Sequence, residues 1–221
     1  MAILCLTFAS GAKALPMSLD TLLAPGASLD SGALRFSQFA YSNTGDMAKA
    51  QDIMVDMFVD AEGHAGISII GDFMDMSESP GPSAASISYS VSVLDSLPSN
   101  LVLAAVNMRA DFTLTGLGYA NLNATVLNES LELIQLFSQN FGNGGPSSTS
   151  SGMKVLTSPS RGINVVMDNI DAFASTSPST PSGAVAKITT IEQTFTVVPE
   201  PTTALLVGFG LAGLAVAGTK I

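Results

Sequence analysis

The stretch Ala85-Ser-Ile-Ser-Tyr-Ser-Val-Ser-Val-Leu94 gives the clearest indication of the fold. Its apolar residues Ile87, Tyr89 and Val91 alternate with serines, so a β-strand here has one apolar face and one polar face. Such a strand is typical of an antiparallel sheet that packs one side on a core and leaves the other side in water. We therefore expect Tyr89 to be a core residue.

Residues on both sides of this strand repeat the pattern in short runs separated by Gly, Pro, Asn, Asp and Ser. Residues 46–58 are ambiguous because methionines at helical spacing overlap an alternating run, and we expect a short helical turn followed by a strand from about Ile53. The other predicted strands span residues 32–39, 65–73, 85–94, 101–115 (one strand or two), 120–126, 131–137 (where a helix also fits), 153–156, 162–168 and 184–198.

These strands predict an all-β fold. About eight to ten strands at regular spacing, with no helices alternating between them, are typical of an antiparallel β-sandwich or a jelly-roll-like body. We expect this domain to span residues 15–198, with flexible loops at 142–152 and 174–183. The alternation in the last strand changes phase within the run, which predicts a β-bulge near Thr189 and Thr190.

Composition and charge exclude several functions. The net charge of −10 and the absence of a Lys/Arg cluster argue against a nucleic-acid partner. His64 is the only histidine, and between two small residues it is expected to be a turn residue. No nucleophile elbow, phosphate loop or dinucleotide fingerprint stands in the required context. The sequence therefore predicts a protein without catalytic activity or a resident cofactor.

Eight of the eighteen acidic residues fall between residues 46 and 78. Calcium takes several oxygen ligands from loops, so this cluster is a candidate Ca²⁺ site, with Asp60 and Glu62 as the leading ligands. The further acids that would have to converge are Asp56, Asp72 and Asp75. The alternative is a solvated sheet edge whose charges prevent strand-to-strand aggregation.

Two further functions stay open. One of them is a polysaccharide-binding role, although the chain has no Trp and only Tyr41, Tyr89 and Tyr119 as tyrosines. Sugar rings usually stack on aromatic side chains, so this scarcity weighs against it. The other is a secreted hydrolase, because many carboxylate pairs could reach the separation that glycoside hydrolysis requires.

The N-terminal residues 1–14 contain a short apolar run that ends in Ala12-Lys13-Ala14. This run is similar to the apolar region and Ala-x-Ala cleavage site of a secretory signal peptide, although a basic start is missing. We therefore expect a partial signal peptide with Ala12 and Ala14 at the cleavage motif. Cys5 is the only cysteine, so no intrachain disulfide can form.

The C-terminal residues 199–221 form a separate segment. No charged residue occurs from Thr202 to Gly218, and at a helical rise of about 1.5 Å these residues reach roughly 25 Å, near the lower limit for crossing a bilayer. We expect a single transmembrane helix, with Lys220 as its basic cytoplasmic end. The residues of this predicted helix include Leu205, Leu206, Val207, Gly208, Phe209, Gly210, Leu211, Gly213, Leu214 and Val216.

The segment Val198-Pro199-Glu200-Pro201, followed by a Gly-rich apolar helix and a basic residue, resembles the PEP-CTERM sorting signal of Gram-negative bacteria. The resemblance implies recognition by a membrane-embedded exosortase, cleavage near the Pro-Glu-Pro motif, and delivery to the cell surface or an exopolysaccharide matrix. One departure is that the chain ends in Thr219-Lys220-Ile221, whereas the family usually ends in several arginines.

The body also resembles the β-sandwich of many PEP-CTERM proteins. The corresponding motifs are Gly32-Ala-Leu34-Arg-Phe36, Ser88-Tyr89-Ser-Val91 and Ile191-Glu-Gln193-Thr-Phe195. The resemblance implies an exported protein that is anchored in the inner membrane in transit and then reaches the surface or matrix. Its expected partners are the exosortase, the lipid bilayer and exopolysaccharide.

Overall fold

The computed structural model describes residues 15–78, 81–128, 133–141, 147–175 and 183–200, with the backbone alone for 128, 133–141, 168 and 169. These residues form thirteen strands, one α-helical turn and one 3₁₀ turn. In chain order they are β1 (Met17–Ser18), α1 (Leu19–Leu22), β2 (Ser28–Ser31), β3 (Leu34–Thr44), the 3₁₀ turn (Ala50–Asp52), β4 (Met54–Val59), β5 (Ala65–Met76), β6 (Ser83–Val93), β7 (Leu101–Thr115), β8 (Leu117–Asn128), β9 (Leu133–Phe141), β10 (Ser147–Ser150), β11 (Lys154–Ser160), β12 (Gly162–Ser175) and β13 (Val185–Pro199).

The described strands form two sheets, and neighbouring strands in each sheet are antiparallel. The seven-stranded sheet has the order β1-β4-β5-β13-β7-β10, with β11 also paired to β7. The six-stranded sheet has the order β2-β3-β6-β12-β8-β9. The predicted all-β antiparallel sandwich is therefore confirmed, with more strands than the sequence pattern indicated.

The core lies between the two sheets and is built by the predicted alternation. In β6, Ile87, Tyr89 and Val91 are buried, while the serines between them are partly exposed on the opposite face. Full burial raises the pKa of Tyr89 well above that of a free tyrosine, so Tyr89 stays neutral and its hydroxyl can donate a hydrogen bond. The predicted core position of Tyr89 is confirmed.

The three sequence motifs of the body meet in this core. The ring of Phe36 lies 6.2 Å from that of Tyr89 and 5.7 Å from that of Phe195, so strands β3, β6 and β13 share one aromatic cluster. The Tyr89 hydroxyl donates to Gln193 Oε1, which joins the six-stranded sheet to the seven-stranded sheet. These motifs therefore specify the packing of the two sheets against each other.

A second polar bridge joins the sheets through Asp75, a β5 carboxylate that is only 1% exposed. The Ser83 hydroxyl donates to Asp75 Oδ1 at 2.6 Å, and the backbone N–H of Ala174 donates to Asp75 Oδ2 at 2.8 Å. Both donors belong to the six-stranded sheet. Because a buried carboxylate is costly without partners, these two hydrogen bonds are what allow Asp75 to lie between the sheets.

Bulges in β13, β12 and β3 keep apolar residues on the core side, and the one in β12 falls between the buried residues Met167 and Ile170. The predicted bulge in β13 is confirmed, because its register with β5 and β7 shifts between Ile188 and Thr190, and both Ile188 and Ile191 are fully buried. The bulge in β3 is at Gln38, which has a φ of 56° and where the register with β6 shifts. Phe39 is buried as a result.

Residues 46–58 adopt the predicted helical turn and strand, and residues 101–115 form one continuous strand. Residues 133–141 are a strand, so the alternative of a helix in this region is wrong. The predicted loop at 142–152 is also wrong in part, because Ser147–Ser150 forms β10 on the edge of β7. Serine side chains of β10 reach polar residues of β7, as when Arg109 Nε donates to Ser148 Oγ at 2.8 Å, and these contacts stabilise a strand that has no apolar alternation.

The last strand leads out of the sandwich at Pro199. Val198 pairs with Val102 and Pro199 with Leu101, and the N–H of Glu200 donates to the carbonyl of Asn100 at 2.7 Å. The predicted signal peptide at 1–14, with Ala12 and Ala14, and the predicted transmembrane segment with Pro201 and Lys220 lie outside the described residues. Within the described ranges, no helix has the length and apolar character needed to cross a membrane.

Candidate functional site

The two outer faces of the sandwich differ in chemistry. The seven-stranded sheet has charged residues on its outer face, where Arg109 lies 3.2 Å from both Asp111 and Glu192, and Lys187 Nζ lies 2.6 Å from Asp72 Oδ1. Within each of these exposed ion pairs the opposite charges neutralise each other, and each pair contributes little to the stability of the fold. This face offers paired charges to a partner.

The outer face of the six-stranded sheet has mainly hydroxyl and amide side chains instead, with the partly exposed Val166 of β12 between Ser88 and Thr125. Every second residue of β6 contributes a serine to it, and the neighbouring strands contribute amides, a threonine and aromatic rings at the positions that alternate with core residues. We call this surface the polar face. It comprises Gln38, Ser86, Ser88, Ser90, Ser92, Tyr119, Asn121, Asn123, Thr125, Asn164, Asp171 and Phe173.

Hydrogen bonds hold the side chains at one end of the polar face. Ser90 Oγ lies 2.8 Å from Gln38 Oε1 and 2.7 Å from Asn164 Oδ1, so one hydroxyl connects three adjacent strands. Because a hydroxyl has one proton, it donates to one of these amide oxygens at a time. The amide groups of Gln38 and Asn164 keep donors and acceptors for a further partner, and Asn164 is exposed.

An aromatic pair lies at the other end of the polar face. Tyr119 of β8 and Phe173 of β12 are direct partners in the antiparallel register, with ring centroids 5.7 Å apart and ring planes 34° from parallel. Both rings are half-buried, whereas their neighbours Ala120 and Ala172 are in the core. The pair therefore faces outward and leaves apolar ring surface at the boundary with water.

Polar residues adjoin the aromatic pair along the same strands. Asp171 and Asn121 are register partners, two positions before Phe173 and two positions after Tyr119, so they share the outer face with the rings. From Asn164 to Phe173 the polar face extends roughly 30 Å along β12, at about 3.3 Å per residue.

A depression of about 460 Å³ borders the polar face at its β3 side. Residues 22–28, which include the loop between α1 and β2, form one wall, and Arg35, Ser37 and Gln38 form the other. Arg35 Nε donates to Asp30 Oδ1 at 2.9 Å and Arg35 Nη2 donates to Asp30 Oδ2 at 2.9 Å. The hydrogen bond from Arg35 lowers the pKa of Asp30, so the single ion pair at this border keeps both partners charged.

The candidate Ca²⁺ ligands Asp60 and Glu62 lie in the turn between β4 and β5, together with His64. One ligand atom of each of these residues lies within 4.8 Å of the others. Asp60 Oδ1 already accepts the backbone N–H groups of Glu62 at 3.1 Å and His64 at 2.7 Å, and Asp60 Oδ2 lies 2.9 Å from His64 Nδ1. Partial desolvation acts to raise the pKa of Asp60, but the hydrogen bonds with His64 outweigh it and lower that pKa.

These contacts shape the turn around Gly63, whose φ is 89°. An imidazole nitrogen is not a ligand that Ca²⁺ prefers, so Asp60 and Glu62 are the members of this cluster whose oxygen atoms suit Ca²⁺. The wider set of acids does not converge on this turn, because Asp72 pairs with Lys187 and Asp75 is enclosed between the sheets.

The comparisons with known proteins are distant. The sequence matches no protein-family model and no curated protein sequence. Among solved structures, TmCBM61 in complex with β-1,4-galactotriose aligns over 72% of this chain and 88% of its own, at 10% identity and a TM-score of 0.34. The CBM22-1 xylan-binding domain of Paenibacillus barcinonensis Xyn10C aligns over 70% and 85%, at 13% identity and a TM-score of 0.26.

The enzymatically active domain of bacteriophage CBA120 tailspike protein 4 also aligns, over 69% of this chain and 19% of its own, at 11% identity and a TM-score of 0.27. These identities and TM-scores are too low to decide what the site does.

The sequence prediction missed the aromatic pair. Nothing in the sequence relates Tyr119 to Phe173, and the predicted strand 162–168 ends before Phe173, whereas β12 continues to Ser175. The alternation of Ile170, Ala172 and Ala174 was the signal that would have extended the strand and placed Phe173 on the outer face.

Proposed function

We propose that this chain is an exported, non-catalytic polysaccharide-binding β-sandwich that is tethered through its C-terminus. The observation that carries the proposal is the outward-facing pair of Tyr119 and Phe173 at the end of a face built of hydroxyl and amide groups. A sugar ring presents apolar C–H groups on its faces and hydroxyl groups at its rim. Aromatic rings and neutral hydrogen-bonding side chains complement these two surfaces.

The shape of the polar face supports a polymer as the ligand. The aromatic pair and the Gln38–Ser90–Asn164 group lie at opposite ends of a surface roughly 30 Å long. A monosaccharide would contact one end only, whereas an extended chain would contact both. Several weak contacts along one polymer add through effective concentration, which suits a flat and partly hydrated site.

A binding role is favoured over hydrolysis by the distribution of carboxylates. Glycoside hydrolysis requires two positioned carboxyl groups beside the bound sugar. Among the side chains that the structure describes, Asp171 is the carboxylate that adjoins the aromatic pair, and its register partner is the amide Asn121. His64 lies in the turn between β4 and β5 of the other sheet, in contact with Asp60, so it supplies no acid or base to this face.

Export and tethering are supported by the order of the segments. β13 is paired with β5 on one side and β7 on the other, and it continues directly into Glu200 and the apolar residues 202–218. An exosortase and a lipid bilayer are the partners proposed for this tail, with Val198, Pro199, Glu200 and Pro201 as the sorting motif.

The binding proposal is tested by affinity electrophoresis of the full chain in gels that contain a panel of neutral, uronate and sulfated polysaccharides. We expect retardation by at least one polysaccharide, and loss of retardation in the Tyr119→Ala/Phe173→Ala variant. Val155→Ala is the matched control because Val155 is 71% exposed on a strand of the other sheet. No retardation by any member of the panel would overturn the proposal.

The tethering proposal has a separate test, which is mass spectrometry of the mature protein recovered from cell fractions. We expect a C-terminus near Pro199 in the surface or matrix fraction. Recovery of the chain with an intact Ile221 in the cytosol would contradict both sorting and export.

A further inference from the structure

We infer that the polar face selects uncharged polysaccharides and rejects polyanionic ones. This inference rests on the proposed function and names the ligand class for the same surface. Polyuronates and sulfated glycans carry a negative charge on every repeating unit or two. Their recognition requires cations that can pair with carboxylate or sulfate groups, and Arg and Lys are the residues that supply them.

The position of the cations is the first line of evidence. The chain has eight Lys and Arg residues, of which Lys13 and Lys220 lie outside the described residues. Arg109 and Lys187 pair with acids on the outer face of the seven-stranded sheet. The remaining cations are Lys49 before the 3₁₀ turn, Lys154 on β11, Arg161 between β11 and β12, and Arg35 on β3.

The two arginines nearest the polar face are already engaged. Arg35 forms two hydrogen bonds with the carboxylate of Asp30, so its positive charge is neutralised at the border of the face. The guanidinium of Arg161 donates to the backbone carbonyls of Pro98, Leu101 and Leu94, and it stabilises the loop at the end of β6. The side chains that make up the polar face include no Lys or Arg, so an anionic chain lying along it would meet no cation on the face itself.

The negative charges of the chain also disfavour the binding of polyanionic polysaccharides. Asp171 lies beside the aromatic pair, and the whole chain has a net charge of −10. A carboxylate or sulfate brought to this surface loses water and meets repulsion without a compensating ion pair. A neutral sugar hydroxyl, in contrast, can donate to Asp171 and exchange hydrogen bonds with the serines and amides.

The test measures binding of the full chain to a neutral β-glucan, a neutral xylan, polygalacturonate and a sulfated galactan at low and high salt. We expect binding to a neutral polymer, an affinity that changes less than twofold between the two salt concentrations, and no binding to either polyanion. Phe173→Ala should weaken the neutral interaction about tenfold, because a half-buried ring supplies both area and stacking.

A gain-of-function variant makes the test independent of folding defects. Ser88→Lys places a cation at the centre of the polar face, and we expect it to bind polygalacturonate in a salt-dependent manner. Val155→Lys adds the same charge to the other sheet and should not bind it. Gain of binding by both variants, or by neither, would overturn the role assigned to the polar face.

The outcomes separate this inference from the proposed function. Binding to a polyanion but to no neutral polymer would overturn the inference and leave a polysaccharide-binding function in place. Binding to a polyanion only when Ca²⁺ is added would also overturn it, because the cation would then bridge Asp171 and the ligand. Binding to none of the four polymers would contradict the proposed function itself.

Discussion

The hydrogen bond between Tyr89 and Gln193 makes a sharp prediction about what joins the two sheets. Tyr89→Phe removes the hydroxyl and keeps the ring, so the contacts with Phe36 at 6.2 Å and Phe39 at 5.4 Å remain. The loss falls on Gln193, which is 1% exposed and whose Nε2 has no partner among the described residues. Its amide would then have no side-chain partner on either atom.

The magnitude follows from the burial of both groups. Leaving one buried acceptor unpaired costs about 1–3 kcal/mol, so we expect Tyr89→Phe to lower the free energy of unfolding by about 2 kcal/mol. Gln193→Met leaves the Tyr89 hydroxyl unpaired but also removes the unpartnered Nε2, so its cost should be about 1 kcal/mol. The double variant Tyr89→Phe/Gln193→Met should be close to the wild type, because replacing both partners by apolar groups is nearly neutral.

The assay is urea unfolding of the full chain followed by far-ultraviolet circular dichroism. The double-mutant cycle should give a coupling energy of about 3 kcal/mol, the sum of the two single costs, with unchanged m-values. Additive effects of the two substitutions would show that the two side chains are not bonded across the interface. A Tyr89→Phe variant as stable as the wild type would refute the account of the core.

The Asp75 bridge between the sheets, the stability of the fold at alkaline pH and the bulge in β3 give three more predictions. Asp75→Ala leaves the donors of Ser83 and Ala174 unpaired, so it should cost about 3 kcal/mol in urea unfolding, and a cost below that of Asp75→Asn would contradict the bridge. Burial raises the pKa of Tyr41 to about 12, so the unfolded chain ionises first and the free energy of unfolding falls as the pH rises from about 10. The Tyr41→Phe variant should lose less stability over that pH range, and an equal loss would disprove the effect of burial. Gln38→Val should destabilise by about 1 kcal/mol or more because a β-branched residue cannot adopt a φ of 56°, whereas Gln38→Gly should not, and the reverse order would exclude the bulge.

Local alternation explains why much of the fold could be predicted from the sequence. The two-residue period of β6 fixed which side chains are buried, and the change of phase in the last strand indicated the bulge that the register shift after Ile188 confirms. Such signals lie within one strand. They do not depend on which other strand becomes the neighbour.

Features that depend on long-range pairing could not be predicted in this way. Ser147–Ser150 has no apolar residue to mark it as a strand, and its stability comes from β7, for example through Arg109 and Ser148. Tyr119 and Phe173 become partners only through the register of β8 with β12. The left-handed backbone of Gln38 is likewise set by the pairing of β3 with β6, because glutamine has no intrinsic preference for it.

The candidate sites likewise combine features that follow from local sequence with features that depend on long-range pairing. The grouping of Asp60, Glu62 and His64 follows from their closeness in sequence, and the turn between β4 and β5 brings them together. Convergence of the more distant acids required a knowledge of their partners, such as Lys187 for Asp72. The polar face was visible in the sequence only as the serines of β6, since its aromatic end belongs to two other strands.

The central claim is that a neutral polysaccharide lies along the polar face, from the Gln38–Ser90–Asn164 group to the Tyr119–Phe173 pair. The most direct measurement is nuclear magnetic resonance mapping of backbone amide shifts of the full chain during titration with a neutral oligosaccharide that the chain binds. The account predicts that the shifted amides cluster on β6, β8 and β12 and include those of Ser90 and Phe173. Shifts confined to the charged outer face of the seven-stranded sheet, around Arg109 and Glu192, would contradict it.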